Sequence, residues 1–188
     1  LVVGLANPGA EYAKTRHNAG GDAVELLAQR HGGTLKVESR LRARLSEVRI
    51  GDHRVALAIP TTYMNESGDA LPGLLDRTGI EDPADLVIVH DELDLEPGRL
   101  QLKIGGGIAG HNGLRSIKDV LKTDAFVRLR IGIGRPPGRG PVVTWVLSRP
   151  GAADRAAIEV AEVEAGDAVE LVSREGAQLA MNTVNARG

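Results

Sequence analysis

The sequence predicts an α/β protein, a twisted mixed β-sheet flanked by helices. Three observations carry this. Short apolar runs alternate with segments of helical periodicity along the chain, the pattern of layered α/β folds. Residues 41 to 59 alternate apolar and polar positions around a Gly51-Asp52 turn, which reads as antiparallel strands and makes the sheet mixed. The chain has 188 residues, 42% of them hydrophobic, enough for a core that needs no disulfide or metal staple. No repeat, low-complexity tract or long linker interrupts it, so residues 1–188 are expected to form a single domain.

The elements follow in order. Leu1-Val2-Val3-Gly4-Leu5 is an apolar run stopped by Asn7-Pro8-Gly9, a buried strand and a turn. Ala23, Leu26 and Leu27 fall at helical spacing, predicting a helix over 22–30. Leu41, Ala43 and Leu45, then Val48 and Ile50, then Val55, Leu57 and Ile59 alternate, predicting two or three strands. Leu71, Leu74 and Leu75 predict a helix within 63–79 after a loop. Residues 85–89 read as a buried strand running into His90-Asp91-Glu92. Residues 99–104 alternate as a strand. Leu114, Ile117, Val120 and Leu121 mark a helix over 111–122. Residues 127–133 form another strand, 134–141 a Gly/Pro/Arg loop, and 151–173 and 174–186 two closing helices.

Composition narrows the chemistry. With no cysteine, disulfides, thiolate zinc sites, iron–sulfur clusters and a cysteine nucleophile are excluded. No apolar run approaches the roughly 18 residues of a membrane span, and no signal-peptide pattern opens the chain. A cytoplasmic protein is expected. The net charge of -2 and the four aromatics, Tyr12, Tyr63, Phe126 and Trp145, argue against a globally basic nucleic-acid binder and a base-stacking platform. The average conceals an uneven distribution. Residues 81–96 hold seven acidic residues and no Lys or Arg. Residues 99–139 hold nine basic residues against two acidic, and 151–188 three against seven. Such runs are ordinarily solvated faces; a basic stretch can also meet phosphate.

Among the motifs, Gly105-Gly106-Gly107-Ile108-Ala109-Gly110 formally fits G-x-G-x-x-G between a strand and a helix. Arg135, near the end of the next strand, could serve a 2′-phosphate, which leaves an NADP-binding enzyme open as an alternative. His111-Asn112 follows where a P-loop needs Lys-Ser/Thr. The five histidines, His17, His31, His53, His90 and His111, form no paired metal motif. No metal is expected. His31 and His53 read as surface residues, His90 as structural, and His111 as a helix start. His17 lies in Thr15-Arg16-His17-Asn18 just beyond the first strand and turn, where sites form in α/β sheets. Covalent serine chemistry lacks a G-x-S-x-G elbow. Asn7, Asn65 and Asn112 each sit in a loop beside or near Gly or Pro, and each amide both donates and accepts. Asp91 ends a strand, where a carboxylate could orient an imidazole. A histidine base, an aspartate orienter and amide donors suffice for attack of water on an activated ester.

These residues fall in blocks. Gly4-Leu5-Ala6-Asn7-Pro8-Gly9 with Glu11-Tyr12 and Thr15-Arg16-His17-Asn18 resembles the opening signature of bacterial-type peptidyl-tRNA hydrolases. Pro60-Thr61-Thr62-Tyr63-Met64-Asn65, His90-Asp91-Glu92-Leu93-Asp94, Gly105 to Leu114, Arg128 to Gly134 and Val146 to Pro150 resemble later blocks in the family's order. The resemblance implies a monomeric, cofactor-free esterase that releases peptide from the 3′ end of peptidyl-tRNA and recycles tRNA from aborted translation. It implies His17 as general base, Asp91 as its orienter and Asn7 as the contact beside the scissile bond. Tyr12, Tyr63, Met64, Asn65 and Asn112 would hold the tRNA 3′ end and the peptide. Lys103 and Arg130 fall where the family clamps a 5′-phosphate of the acceptor stem. A non-catalytic RNA-binding relative is a further alternative, against which the His17 and Asp91 pair argues. Two departures carry expectations: Gly21 stands where a larger residue is common, which would thin the core, and Tyr63 adds a hydroxyl at a usual Phe.

Overall fold

The computed structural model describes residues 1–187. Thirteen helices and strands follow one another, linked by turns and short 3-10 segments. They are β1 (Val2–Gly4), α1 (Ala19–Arg30), β2 (Lys36–Glu38), β3 (Ala43–Ile50), β4 (His53–Pro60), α2 (Leu71–Thr78) and β5 (Val87–Glu92). Then come β6 (Leu100–Ile104), α3 (Asn112–Leu121), β7 (Val127–Gly132), α4 (Val142–Val146), α5 (Ala152–Glu175) and α6 (Ala177–Ala186).

The strands form one sheet in the order β2-β3-β4-β1-β5-β7-β6. β1 pairs in parallel with both β4 and β5, and β5 in parallel with β7. The edges are antiparallel: β2 and β3 extend β4, and β6 extends β7. The mixed sheet of the sequence reading is therefore the one found. The period-2 alternation of each strand sends side chains to opposite faces. Val2, Leu57, Val89 and Leu129 join Val24 and Leu27 of α1 and Ile158, Ala165 and Val184 of α5 and α6. Val3, Ala58 and Ile88 join Leu71 and Leu74 of α2 and Leu114 and Ile117 of α3 on the other face.

The central position of β1, with chain-successive neighbours on either side, makes a topological switch point. Ligands bind outside the carboxyl ends of the strands at such a point. Here those ends release Asn7, the 61–65 segment and Asp91.

Several boundaries differ from the sequence reading. α1 begins at Ala19, three residues before the expected start, after a 3-10 turn at Arg16–Asn18. The expected 63–79 helix is a 3-10 stretch at Met64–Ala70 before α2, which has Pro72 in its first turn. The β5 strand continues through His90-Asp91-Glu92. α4 follows the expected 134–141 loop, in a stretch where the sequence predicts no element. The break between the last two helices falls at Gly176, whose φ of 84° suits glycine. Gly21 does not thin the core: a Cβ there would stand 2.7 Å from the Ala6 Cβ. The methyl of Ala6 occupies the space that a side chain at 21 would take.

Candidate active site

The site starts with a close approach of backbones. A Cβ at Gly20 would lie 2.1 Å from the Val89 carbonyl oxygen, so only glycine lets the first turn of α1 sit on β5. The 3-10 turn before α1 is thereby pressed against the end of β5, and His17 meets Asp91. The His17 Nδ1 lies 3.0 and 2.9 Å from the two Asp91 carboxylate oxygens. Asn18 is drawn away from capping the helix. Its Oδ1 accepts from the Asn7 N–H at 2.8 Å, and its Nδ2 donates to the Asn7 carbonyl at 3.0 Å, which fixes the turn after β1.

A third residue completes the network. The Nε2 of His111 lies 2.9 Å from Asp91 Oδ1. His111 is also the cap of α3: its Nδ1 accepts the N–H groups of Gly113 and Leu114 at 3.1 and 3.3 Å. A neutral imidazole carries one N–H. The two backbone donors claim Nδ1 as acceptor, so the ring proton sits on Nε2 and is donated to Asp91. From sequence, His111 reads only as a helix start. Its one signal was the position itself, a histidine beginning a helix beside a Gly-rich loop.

Asp91 is thus a buried carboxylate accepting from two imidazoles. Burial by itself would raise its pKa; the charges and hydrogen bonds of His17 and His111 prevail and hold it well below the usual carboxylate range. Burial would lower the His17 pKa, but the charge and hydrogen bond of Asp91 outweigh it and the pKa is raised. With Nδ1–H donated to Asp91, the basic atom of neutral His17 is Nε2. His90 is a different case. It is buried, its Nδ1–H donates to the Asp91 carbonyl at 2.8 Å, and burial, reinforced by His111, lowers its pKa to about 3. It stays neutral, in line with a structural role. His31 is not the plain surface residue expected; its Nε2 pairs with Glu170 at 2.9 Å.

His17, Asp91 and His111 place three donor atoms within 4.8 Å of one another. Proton positions decide against a metal there: a metal needs the Nε2 lone pair of His111, which would force the ring proton onto Nδ1, against the Gly113 and Leu114 N–H groups.

Two adjoining cavities open at His17. The larger, about 350 Å³, is lined by Asn7, Tyr12, His17, Tyr63, Met64, Asn65 and Asn112, with Val143, Val146 and Leu147 of the α4 region. The smaller, about 100 Å³, is lined by His17, Asp91, Leu93, Gly110, His111 and Asn112, with Val142, Val143 and Val146. Seven of the residues singled out from sequence therefore share one groove, and Asp91 borders the adjoining cavity. The buried Asn7 has a defined orientation. Its Oδ1 accepts the Met64 N–H at 2.7 Å, so its Nδ2 is a donor without a protein partner among the described residues. Tyr12 and Tyr63 meet edge to face with ring centroids 6.3 Å apart, and Tyr63 is 54% exposed. α4 is the wall that the sequence reading missed; Val142 and Val143 gave too short an apolar run to mark a helix.

Lys103 and Arg130 line neither cavity. β6 and β7 place Lys103 opposite Arg128 and Gln101 opposite Arg130, so all four share one face of the sheet. Arg130 is not a free cation. Its guanidinium donates to Glu92 Oε1 at 2.9 and 2.5 Å and to Gln101, and its side chain is 14% exposed. Arg128 is buried and ties down the Gly-rich loop through the carbonyls of Gly106 and Gly107. Lys103 lies over Gly106: a Cβ there would stand 3.1 Å from its Nζ.

The dinucleotide alternative fails on topology. A dinucleotide loop joins a strand to a helix that crosses to a parallel neighbour. Here the loop leaves β6, an antiparallel edge strand. The N–H groups that would cradle a phosphate at the start of α3 are spent on His111.

Comparison with known proteins agrees with this geometry. Residues 1–188 match the family described as peptidyl-tRNA hydrolase. The peptidyl-tRNA hydrolase of Mycolicibacterium vanbaalenii is 47% identical over 188 residues, covering 100% of this chain and 97% of that protein. The enzyme of Mycolicibacterium smegmatis is 47% identical over 186 residues, covering 99% of this chain and 97% of its own. A crystal structure of peptidyl-tRNA hydrolase from Acinetobacter baumannii superposes with a TM-score of 0.92 at 42% identity, covering 98% of this chain and 93% of that one. No described helix is long and apolar enough to cross a membrane. With the sequence matched from end to end and the fold shared at that identity, the chain belongs to the peptidyl-tRNA hydrolases, enzymes that cleave the ester joining peptide to tRNA.

Proposed function

We propose that His17 is the general base of this hydrolase and that Asp91 holds and polarises it. The observation that carries the reading is the His17 Nδ1 to Asp91 contact at 2.9 Å, made where the two cavities meet. In this reading a water in the groove gives a proton to His17 Nε2 as its oxygen attacks the ester carbonyl. The Asn7 Nδ2–H donates to substrate beside the reacting carbon, where negative charge develops on oxygen. The imidazolium, stabilised by Asp91, then returns the proton to the departing 3′-oxygen of the terminal ribose. The products are a free peptide carboxylate and tRNA. His111 supports the cycle by sharing Asp91 and fixing the carboxylate.

Tyr12, Tyr63, Met64, Asn65 and Asn112 line the larger cavity and in this reading hold the tRNA 3′ end and the adjoining peptide. Asn7 separates peptidyl from free aminoacyl esters through its free Nδ2 group. The acceptor-stem phosphate is met by the cationic sheet face. Lys103 contributes the accessible positive charge there, since Glu92 offsets Arg130 and Arg128 is buried under the Gly-rich loop. One sheet carries both apolar cores, which supports reading the chain as one domain.

The test is steady-state hydrolysis of an N-blocked aminoacyl-tRNA beside its unblocked form. The blocked ester is expected to turn over faster, and His17→Ala to lose most of that turnover while keeping its fold. Parental turnover by a folded His17→Ala protein would overturn the assignment, and equal rates on the two esters would remove the role given to Asn7.

A further inference from the structure

We propose that Arg16 is a positioning residue for the reaction: it anchors α4 to the turn that carries His17 and so sets the shape of the groove. The inference rests on the groove at His17 being the substrate site.

Arg16 is 5% exposed. Its backbone N–H donates to the Ser148 carbonyl at 3.0 Å. Its Nη1 donates to Ser148 Oγ at 2.5 Å and approaches the Trp145 and Ser148 carbonyls at 3.4 Å each. Its guanidinium carbon stands 3.4 Å from the centroid of the Trp145 ring. The nearest carboxylate, Asp154, is 4.0 Å away and 40% exposed, and Arg16 Nε is buried without a partner. A buried cation with only a distant acid is costly unless other groups receive it. Here the carbonyls of Trp145 in α4 and of Ser148 just beyond it, the Ser148 hydroxyl and the face of one indole do so. A cation at a helix C-terminus satisfies the free carbonyls and complements the helix dipole.

α4 needs such an anchor. It has five residues and no side-chain cap at its start, and helices this short do not stand alone. Its Trp145 indole N–H also donates to the Gly134 carbonyl at 2.8 Å, and Val146 packs into the apolar core. Val143 and Val146 line both cavities, and Leu147 the larger. The turn Arg16–Asn18 therefore sends consecutive side chains to the base and to the wall: His17 to Asp91, Arg16 to α4.

Trp145 is the sole tryptophan, so its emission reports the stack. Arg16→Met, Arg16→Lys and Trp145→Leu are compared with the parent on N-blocked aminoacyl-tRNA, with fluorescence recorded on each protein that keeps Trp145. Loss of a desolvated cation–π contact predicts a KM about tenfold higher in Arg16→Met and about threefold higher in Trp145→Leu. The acid limb of the pH profile is expected to stay in place, because the Asp91 network is untouched. Arg16→Lys keeps the charge without the planar stack and is expected to fall between parent and Arg16→Met. Trp145 emission is expected to shift to the red in Arg16→Met. A folded Arg16→Met with parental KM and emission would overturn the inference, as would a displaced acid limb, which would mean that Arg16 acts on His17 itself. If Arg16→Met does not fold, parental KM in Trp145→Leu overturns it. His17→Ala, run in parallel, separates the two readings. Turnover retained there removes the site assignment, whereas turnover lost there with parental KM in Arg16→Met removes only the role of Arg16.

Discussion

Asp91→Asn is the substitution whose effect the geometry predicts most fully. The native carboxylate offers Oδ2 to His17 at 2.9 Å and Oδ1 to both His17 and His111 at 3.0 and 2.9 Å. Asparagine keeps one acceptor and places an N–H donor at the other position. If the amide oxygen stays at the shared site, the amide nitrogen confronts His17 Nδ1, where two donors meet. The ring then escapes by moving its proton to Nε2, the atom that acts as base in the proposed mechanism. The lost charge adds to this. A unit charge about 4 Å from the forming imidazolium, at an effective dielectric constant near 20, is worth about 4 kcal/mol, which corresponds to about a thousandfold in rate. The retained acceptor returns about 1 kcal/mol of it. The expected loss in kcat is therefore about a hundred- to a thousandfold. The pH profile moves as well. Asp91 raises the His17 pKa against the effect of burial, so the parent's acid limb lies above 6.5 and the limb of Asp91→Asn falls to lower pH. Steady-state hydrolysis from pH 5 to 9 with a circular-dichroism check of fold measures both. A folded variant within threefold of parental kcat, or one whose acid limb stays in place, would refute the reasoning.

Three further outcomes follow. Asn7→Ala removes the free Nδ2 and the Met64 tie, and its preference for blocked over unblocked ester is expected to fall about tenfold, read from the ratio of kcat/KM values. His111→Ala frees one acceptor position on Asp91; an expected kcat loss of about tenfold with a still-paired His17 is checked by kinetics and by the imidazole NMR titration. Glu162 of α5 is 1% exposed, and burial, with the charge of Asp22, pushes its pKa up to about 8 from 4.5. Its folded form holds a proton that the unfolded chain releases, so the parent loses stability as pH rises from 4.5 to about 8. Glu162→Gln is expected to be progressively more stable than the parent across that window, by at most about 5 kcal/mol, read from denaturant midpoints at several pH values; a difference that does not vary with pH would refute it.

The sequence was most legible where local chemistry and global fold agree. The strand alternation in 41–59 and the apolar stripe of α3 are set by burial on one face, which period alone reveals. The site residues Asn7, His17, Asn65 and Asp91 were legible because they stand at the ends of the parallel strands β1, β4 and β5 or in the turns that follow, and those ends meet at the switch point. What escaped depends on contacts between distant segments. His111 acquires its place from two backbone donors one turn on and a carboxylate 20 positions back in the chain. α4 has no helical pattern of its own; Arg16 and Gly134 hold it from segments far away in sequence or across a turn. The 3-10 start of the 63–79 segment, too, is imposed by tertiary partners. Asn7 captures the Met64 N–H, and the Ser116 hydroxyl of α3 accepts the Gly68 N–H at 2.9 Å.

The charge pattern shows how a protein of net charge -2 can serve a polyanion. The basic stretch of 99–139 does not form one continuous patch. Arg128 is consumed inside the fold by the Gly-rich loop, Arg130 by Glu92, Arg135 by Asp94 at 2.7 Å and Lys118 by Asp124 at 3.5 Å. Arg130, Arg135 and Lys118, each beside a carboxylate, have lost most of their long-range field, which salt screens further beyond a Debye length of about 8 Å; Arg128 keeps its charge but is buried. The acidic residues of 81–96 are in part these partners, so the two runs read as opposite in the sequence are joined in the fold. The charge left at the sheet edge is local, centred on Lys103 over the loop that ends in His111. A site built this way gains little affinity from bulk charge. In the proposed reading it relies on a few placed contacts to phosphate and on the amides around His17. Lys103→Gln is therefore expected to raise KM for peptidyl-tRNA and reduce the slope of log KM against log salt by about one, while leaving kcat at parental values. A slope unchanged in Lys103→Gln but reduced in Arg115→Gln would place the phosphate on the exposed face of α3 instead.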